Sequence, residues 1–400
     1  EGIQIVDARD ERAAVHMAHA HAEVTGSLGV ALVTAGPGVT NAITGIANAH
    51  VSRASVLVLS GTQSAAQENR GGLQDMDHVQ LVRSITRYAR TVRDPAQILI
   101  ELGEAVARAY GDGGEPGPVY LDFPIDTLRS PYPAPLEMIE HFSARSRHVH
   151  FPDPEAVDRA IEVLWSARRP LVISGRGAKS AGPALLRLLD RLGPAYIDTG
   201  ESRGLVPADH PTFVSARRAQ AMAEADVVLT IGRRLDFQLG FGSPAIFSAA
   251  QFVRIANCPG ELRDNRRGVV EILANTSKTL FAICERADNR PVAVDRQWVR
   301  NLRNEHNKRI ANLQRSVEDA QPGCDGGIHP NVLLSAIQQF VTGDTIVVTD
   351  GGDFLAFARQ ILEAPTMLDP GPFGCIGVGV PFGIAASLAC PGKRVIVATG

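Results

Sequence analysis

Between residues 3 and 49 the chain alternates apolar runs with helix-like stretches: IQIV, DARDERAAVHMAHAHAEVT, GVALVT, AGPG and VTNAITGIANA. The apolar runs are short, rich in Ile, Val and Leu, and without polar alternation. Strands of a parallel sheet covered on both faces need that pattern, and it leaves open chiefly the folds that lay helices over parallel strands. Ile3 to Val6 reads as a buried strand, and the helix after it opens on Glu11. A second strand runs from Gly29 to Thr34, and the turn Ala35-Gly36-Pro37-Gly38 leads into another helix. Gly36 and Gly38 let the backbone approach a ligand, and the helix starting there offers free N–H groups. Glu11 thereby falls at the carboxyl end of a strand, where ligands of open α/β sheets bind. Taken alone, an acid at that place reads first as an ordinary partner of the helix dipole.

The same rhythm recurs along the chain. Ser55 to Ser60 and Pro118 to Phe123 read as further buried strands, and Pro95 to Gly111 as an amphipathic helix. The polar loop 61–80 between them is long enough to suggest a task of its own. Residues 131–156, rich in proline, histidine and charge, read as a surface linker. The spacing of His141, His148 and His150 there suits neither zinc nor a nucleophile pair. A second α/β unit spans 157–285, marked by apolar runs at 170–175, 195–198, 225–232 and 252–257 and a helix over 183–192. Its run GRGAKSAG (175–182) carries Ser180 at the third glycine position of the dinucleotide fingerprint, which argues against that site. Residues 286–330 read as a charged connecting helix with Trp298 and Leu302 on its packed side, followed by turns. A third unit covers 331–400, with a helix over 331–340 and a strand from Thr345 to Thr349. After that strand, Asp350-Gly351-Gly352-Asp353-Phe354 forms a strand–glycine–helix junction, suited to phosphate oxygens or simply to a tight turn.

Four hundred residues exceed one ordinary core and suggest two or three domains. A net charge of −3 with no dense Lys/Arg stripe argues against nucleic acid as a partner. Five cysteines (258, 284, 324, 375 and 390) without a CxxC fit free thiols in a reducing, cytoplasmic setting. No apolar run reaches about 18 residues, so no membrane span is expected within the chain. The first and last residues read as edges of an internal portion of a longer protein: 393–400 looks like a buried strand with nothing after it to cover it. A targeting segment upstream stays open on this reading.

Several segments carry a resemblance. Glu11 with Ala13-Ala14 and GVALVTAGPGVTNAITGIANA, then VLVLSG (56–61), GGLQDMDHV (71–79), GPVYLDFPIDTL (117–128), VVTDGGDF (347–354) and LDPGPFGCIGVGVPFGIAASLA (368–389) are similar to thiamine-diphosphate enzymes of the acetolactate synthase-like group. The resemblance implies an α/β fold of three doubly wound parallel-sheet domains, the first and last apparently truncated. They would be a pyrimidine-binding domain at 1–130, a central domain at 157–285 and a diphosphate-binding domain at 331–400, with 131–156 and 286–330 as connections. It implies that the Glu11 carboxylate hydrogen-bonds the aminopyrimidine ring, with Gln74 over the cofactor as a second catalytic residue. Gly36, Pro37, Gly38 and Asn41 would line the pyrimidine. Gly351, Gly352, Asp353 and Phe354 would meet the diphosphate, with Gly374, Cys375 and Ile376 in the turn whose aliphatic member bends the cofactor. Gly400 matches the first glycine of the family's Gly-Asp-Gly metal motif, so the Mg2+ ligands are expected just after it and none within this chain.

The same resemblance implies a homodimer or homotetramer, since the pyrimidine unit of one subunit faces the diphosphate unit of another. It also implies FAD or ADP in the central domain, held by two acids; at the aligned places stand Ala256 and Asn275. Acetolactate synthases tend to read R-F-D-D-R where this chain has Asp236-Phe237-Gln238, wording closer to 2-hydroxyacyl-CoA lyases. Two enzymatic readings follow. One is decarboxylation of a 2-oxo acid with transfer to a second carbonyl; the other is acyl-CoA chemistry of the 2-hydroxyacyl-CoA lyase or oxalyl-CoA decarboxylase type. A non-catalytic assembly or regulatory relative is the reading from a different class.

Overall fold

The computed structural model describes residues 2–112, 114–133, 148–248, 250–323 and 326–400. It divides into two compact units: Glu1–Arg147 with Asp344–Ala356 and Leu368–Gly400, and His148–Gly343 with Phe357–Met367. His141 and Cys324, named above, lie outside the described residues.

In the first unit, strands β1 (Gly29–Val33), β2 (Val56–Thr62), β3 (Tyr88–Thr91) and β4 (Val119–Pro124) form a parallel sheet in the order β1-β2-β4-β3. Helix α1 (Glu11–Thr25) starts where Asp10, in extended conformation, accepts from the Ala13 N–H at 3.2 Å, which satisfies one of the orphan donors of the first turn. It stops at Gly26 in the left-handed conformation (φ 69°). Helix α2 (Pro37–Ser52) takes Gly36 as its cap and proline as its first residue, where a missing N–H costs nothing. Val15 and Ala18 of α1 and Val39, Ala42 and Ile46 of α2 close over Ala31, Val33, Val56 and Val58 as one core. In the same unit α1 also packs against the helix Gly379–Ala389, where Ala20 joins Phe382, Ala385 and Ala386. Strand β10 (Thr345–Thr349) pairs parallel with β12 (Arg394–Ala398), in a three-stranded sheet ordered β11-β10-β12 with β11 at Thr366–Leu368.

The second unit holds a five-stranded parallel sheet of β5 (Pro170–Ser174), β6 (Ala195–Asp198), β7 (Val227–Ile231), β8 (Gln251–Ala256) and β9 (Val270–Leu273). Its order is β6-β5-β7-β8-β9, the 2-1-3-4-5 arrangement of doubly wound sheets. The helices Pro154–Ser166, Gly182–Leu192 and Thr276–Arg286 share its core, and Trp298 and Leu302 of the helix Arg296–Glu318 are buried against it, as their spacing predicts. The α/β class with three parallel sheets is therefore the observed one.

Four expectations need correction. Residues 3–6 form no strand: β1 is the edge of its sheet, nothing pairs with them, and Ile3 and Ile5 are 85% and 81% exposed. Strand β1 itself is covered on one face only, with Val30 and Leu32 turned outward. The run near residue 400 is a strand, but Arg394 and Val397 face solvent rather than a core. The helix Pro154–Ser166 begins inside the supposed linker, because Asp153 caps it through the Glu155 and Ala156 N–H groups.

Candidate cofactor site

The carboxyl end of the first sheet gathers the pyrimidine-side residues. Half-buried Glu11 opens α1, and its Oε2 accepts from Asn41 Nδ2 at 3.0 Å. A Cβ on Gly38 would stand 3.5 Å from Glu11 Oε1 and 2.8 Å from the Thr34 methyl, so only glycine leaves this side of the carboxylate open. Gly36 adopts φ 60°, ψ −109°, a conformation close to glycine-only. A Cβ there would also strike Gln74 Cβ at 2.8 Å. Gln74 therefore lies on the Gly36 turn, and its own backbone is left-handed at φ 62°. That is an uncommon state for a residue with a side chain, of the sort that gathers at ligand sites. The Gln63 amide holds the neighbouring Leu73 carbonyl.

Sequence reasoning missed the support beneath this turn. The Gly36 N–H donates to Nε2 of buried His78 at 2.8 Å, and His78 Nδ1 lies 3.3 Å from Asp122 Oδ2 at the end of β4. The Tyr120 hydroxyl donates to the same Asp122 oxygen at 3.2 Å. The available signal was the DMDH and YLDF wording, in which a histidine and an aspartate recur beside apolar runs.

The glycine turns of the other side belong to the same unit. Asp350, buried after β10, accepts on one oxygen from the N–H groups of Gly351 (2.6 Å), Gly377 (2.8 Å) and Val378 (3.2 Å). One carboxylate thus ties the Asp350–Gly352 turn to the turn that carries Cys375 and Ile376. Gly351 is needed for this approach: a Cβ would meet the Cys375 carbonyl at 2.6 Å. Gly352, at φ 90°, sits beneath Ile376, whose Cδ1 would be 3.6 Å from an added Cβ. Ile376 is 67% exposed, a large apolar side chain held out by the turn. Gly374 has open space where a Cβ would be. Asp353 is exposed, and Phe354 begins the following helix, with Gly400 beside its Cβ.

Within one chain the second turn packs against the helices α1 and α2 of the first side, while the resemblance expects the cofactor between two subunits. The turn Gly371–Phe373 lies against α2, and Cys375 Sγ is 3.8 Å from Nε2 of His16 on α1. The shared packing of Phe382 against the His16 and His19 rings (centroids 6.0 and 5.0 Å) is the physical reason. Burial, then the Arg12 charge, lowers the His16 pKa to about 4 against the pull of Asp350 and Asp10, so this imidazole is neutral.

In the second unit, the region aligned with the family's nucleotide acids offers none. Ala256 is apolar, and the Asn275 side chain caps its own helix by accepting from the Lys278 N–H. Arg233 binds Asp236 with two hydrogen bonds of 2.8 Å and also donates to the Gln238 side chain at 2.9 Å. The 233–238 segment is also tied to Arg218, Asp264 and Asn265, and Phe237 is exposed. Among the described residues, no helix is long and apolar enough to cross a membrane.

The first unit thus holds a helix-borne carboxylate beside one glycine turn and an exposed isoleucine on a second glycine turn, the parts a site for a two-ended cofactor would need. The comparisons agree. Residues 1–81 match the thiamine pyrophosphate enzyme N-terminal TPP binding domain, 157–283 its central domain and 350–400 its C-terminal TPP binding domain. An acetolactate synthase large subunit of Mycobacterium tuberculosis is 31% identical over 411 residues, covering 100% of this chain and 72% of the relative. A 2-hydroxyacyl-CoA lyase 2 of Caenorhabditis elegans is 29% identical over 443 residues (100% and 68%), and that of Bos taurus 30% over 441 (98% and 68%). The chain belongs to the thiamine pyrophosphate enzyme family and is a thiamine-diphosphate-dependent enzyme of acetolactate synthase type.

Proposed function

We propose that this enzyme decarboxylates a 2-oxo acid and transfers the resulting acyl unit to a second carbonyl compound. The observation that carries the reading is the Glu11 carboxylate, held by Asn41 at the edge of the Gly36–Gly38 turn with one oxygen toward the space that Gly38 leaves free. When bound there, thiamine diphosphate supplies the nucleophilic carbon and the electron sink. Glu11 would hold a proton at the pyrimidine ring nitrogen, and Gly36, Pro37, Gly38 and Asn41 would wall that ring. Ile376 would fold the two rings together as a proximity device, with Gly374 and Cys375 shaping its turn. Gly352, Asp353 and Phe354, at the start of a helix, would face the diphosphate. Gly351 would serve the same region mainly by letting the two turns touch. Gln74, held in its strained backbone state over Gly36, would close the site from the loop side. Mg2+ would accompany the diphosphate.

The domain boundaries proposed are those of the resemblance, 1–130, 157–285 and 331–400. No nucleotide is assigned to the central one, since Ala256 and Asn275 do not supply the acid pair. The assembly proposed is a homodimer or homotetramer, supported by Val380, Ile384 and Leu388, which stand four apart and exposed on one face of the helix Gly379–Ala389. A cytoplasmic setting is proposed from the free cysteines Cys284, Cys375 and Cys390.

A second reading, cleavage of a 2-hydroxyacyl-CoA, is favoured by Gln238, which occupies the place of the arginine that would face a 2-oxo acid. Product analysis with pyruvate and with a 2-hydroxyacyl-CoA, each with thiamine diphosphate and Mg2+, separates the two. Carbon dioxide and a coupled product from pyruvate support the first reading. Turnover of the acyl-CoA alone replaces it with the second, and no turnover of either favours a non-catalytic relative.

A further inference from the structure

We infer that His78 is a positioning residue for the cofactor, acting through Gly36 and oriented by Asp122. The inference rests on the thiamine-diphosphate reading of the site. The backbone nitrogen of Gly36 can only donate, so His78 Nε2, 2.8 Å away, must accept. An imidazole that accepts at Nε2 is neutral and carries its proton on Nδ1, which points at Asp122 Oδ2. The histidine is therefore locked in one tautomer by a carboxylate behind it, as outer-shell carboxylates orient histidines elsewhere. All three partners are buried, so each bond is made without competition from water.

The residue at the far end of this relay is the one that needs it. Gly36 caps α2 without a side-chain cap and holds a backbone state that favours no other residue. Its amide has a choice of orientations in the free turn, and His78 selects one. Three features follow from that choice: the start of α2, and with it Gly38 and Asn41; the distance from Asn41 to Glu11; and the seat on which Gln74 rests. Movement of Gly36 would therefore shift both the pyrimidine wall and the lid over it, although His78 itself stands behind the turn.

Two substitutions of similar size separate this role from simple packing. In His78→Gln the side-chain oxygen reaches the place of Nε2 and can still accept from Gly36, but the link to Asp122 is lost. In His78→Asn the amide nitrogen replaces Nδ1 and can still meet Asp122, but nothing reaches Gly36. Two quantities are measured on the full protein: the dissociation constant for thiamine diphosphate with Mg2+ by calorimetry, and amide hydrogen exchange of the segment containing Gly36. His78→Asn is expected to raise the dissociation constant by about ten- to a hundredfold, the range seen for lost outer-shell partners, and to expose the Gly36 amide. His78→Gln is expected to stay within about threefold of wild type, under 1 kcal/mol, with the amide still protected. Equal effects of the two variants, including equal failure to fold, overturn the inference, as does an unchanged dissociation constant in His78→Asn. Should the wild type bind no thiamine diphosphate, the function reading falls and the positioning role with it, while exchange at Gly36 still reports whether the relay forms.

Discussion

The carboxylate of Asp350 joins its own turn to Gly377, 27 residues further on, and its removal has a calculable cost. Three backbone donors at 2.6, 2.8 and 3.2 Å converge on one oxygen. Hydrogen bonds to a charged acceptor contribute about 1.5–3 kcal/mol each, and three that share an oxygen contribute less than three times that. Asp350→Ala also leaves those N–H groups facing a small void, so the loss should be roughly 3–5 kcal/mol, as for a broken buried ion pair. Against a total stability of about 5–15 kcal/mol this is a large fraction. Asp350→Asn can keep one oxygen on these N–H groups but loses the charge and turns the oxygen that accepts from Thr399 Oγ1 (3.4 Å) into an NH2 donor, so it should cost about 1–2 kcal/mol. Urea unfolding followed by far-UV circular dichroism measures both. Trp165 and Trp298 both lie in the second unit, so tryptophan fluorescence should move less than the dichroism. A loss within about 1 kcal/mol for Asp350→Ala would refute the view that this residue holds the Ile376 turn.

Two further outcomes follow from buried charge and from pH. Arg254 is fully buried, and its guanidinium meets Asp264 at 2.5 and 2.7 Å and the carbonyls of Glu261 and Arg266 at 2.6 Å. Asp264→Ala strands that charge and should cost about 3–5 kcal/mol in the fluorescence-detected transition; an unchanged midpoint contradicts it. The His16 pKa in the folded chain lies below its unfolded value, so the stability it contributes is complete above about pH 6.5 and is lost as pH falls toward about 4. The gap corresponds to about 3 kcal/mol at about 1.4 kcal/mol per pH unit. His16→Leu should flatten that slope in dichroism-detected unfolding, and an unaltered slope counts against a neutral buried ring.

What could be read from the sequence was whatever local rules decide. The helix opening on Glu11, the Gly36–Gly38 turn and the apolar strands β2, β4, β5, β7 and β8 all follow from period, caps and glycine. Strands β3 (YART) and β9 (VEIL) were missed because pairing with β4 and β8 makes them strands, while their own wording is too polar or too short. Ile3 to Val6 erred the other way, since an apolar run becomes a strand only where an edge accepts it. At the site, the glycine turns could be read from the sequence, but not what Gly351 touches in the fold. Gly351 was expected at a phosphate, whereas its N–H is taken by Asp350 and its missing Cβ makes room for the Cys375 carbonyl. The His78–Asp122 relay joins residues 44 apart in sequence, and no local pattern announces a bond that only the folded sheet creates.

The central claim is that the Glu11 carboxylate acts on bound thiamine diphosphate. Its most direct test pairs cofactor titration with turnover for the wild type and Glu11→Gln. The account predicts that both bind thiamine diphosphate and that the variant loses about a hundredfold or more in turnover, the scale of a lost proton-transfer group. A wild type that binds no thiamine diphosphate, or a Glu11→Gln enzyme that turns over at the wild-type rate, would contradict it.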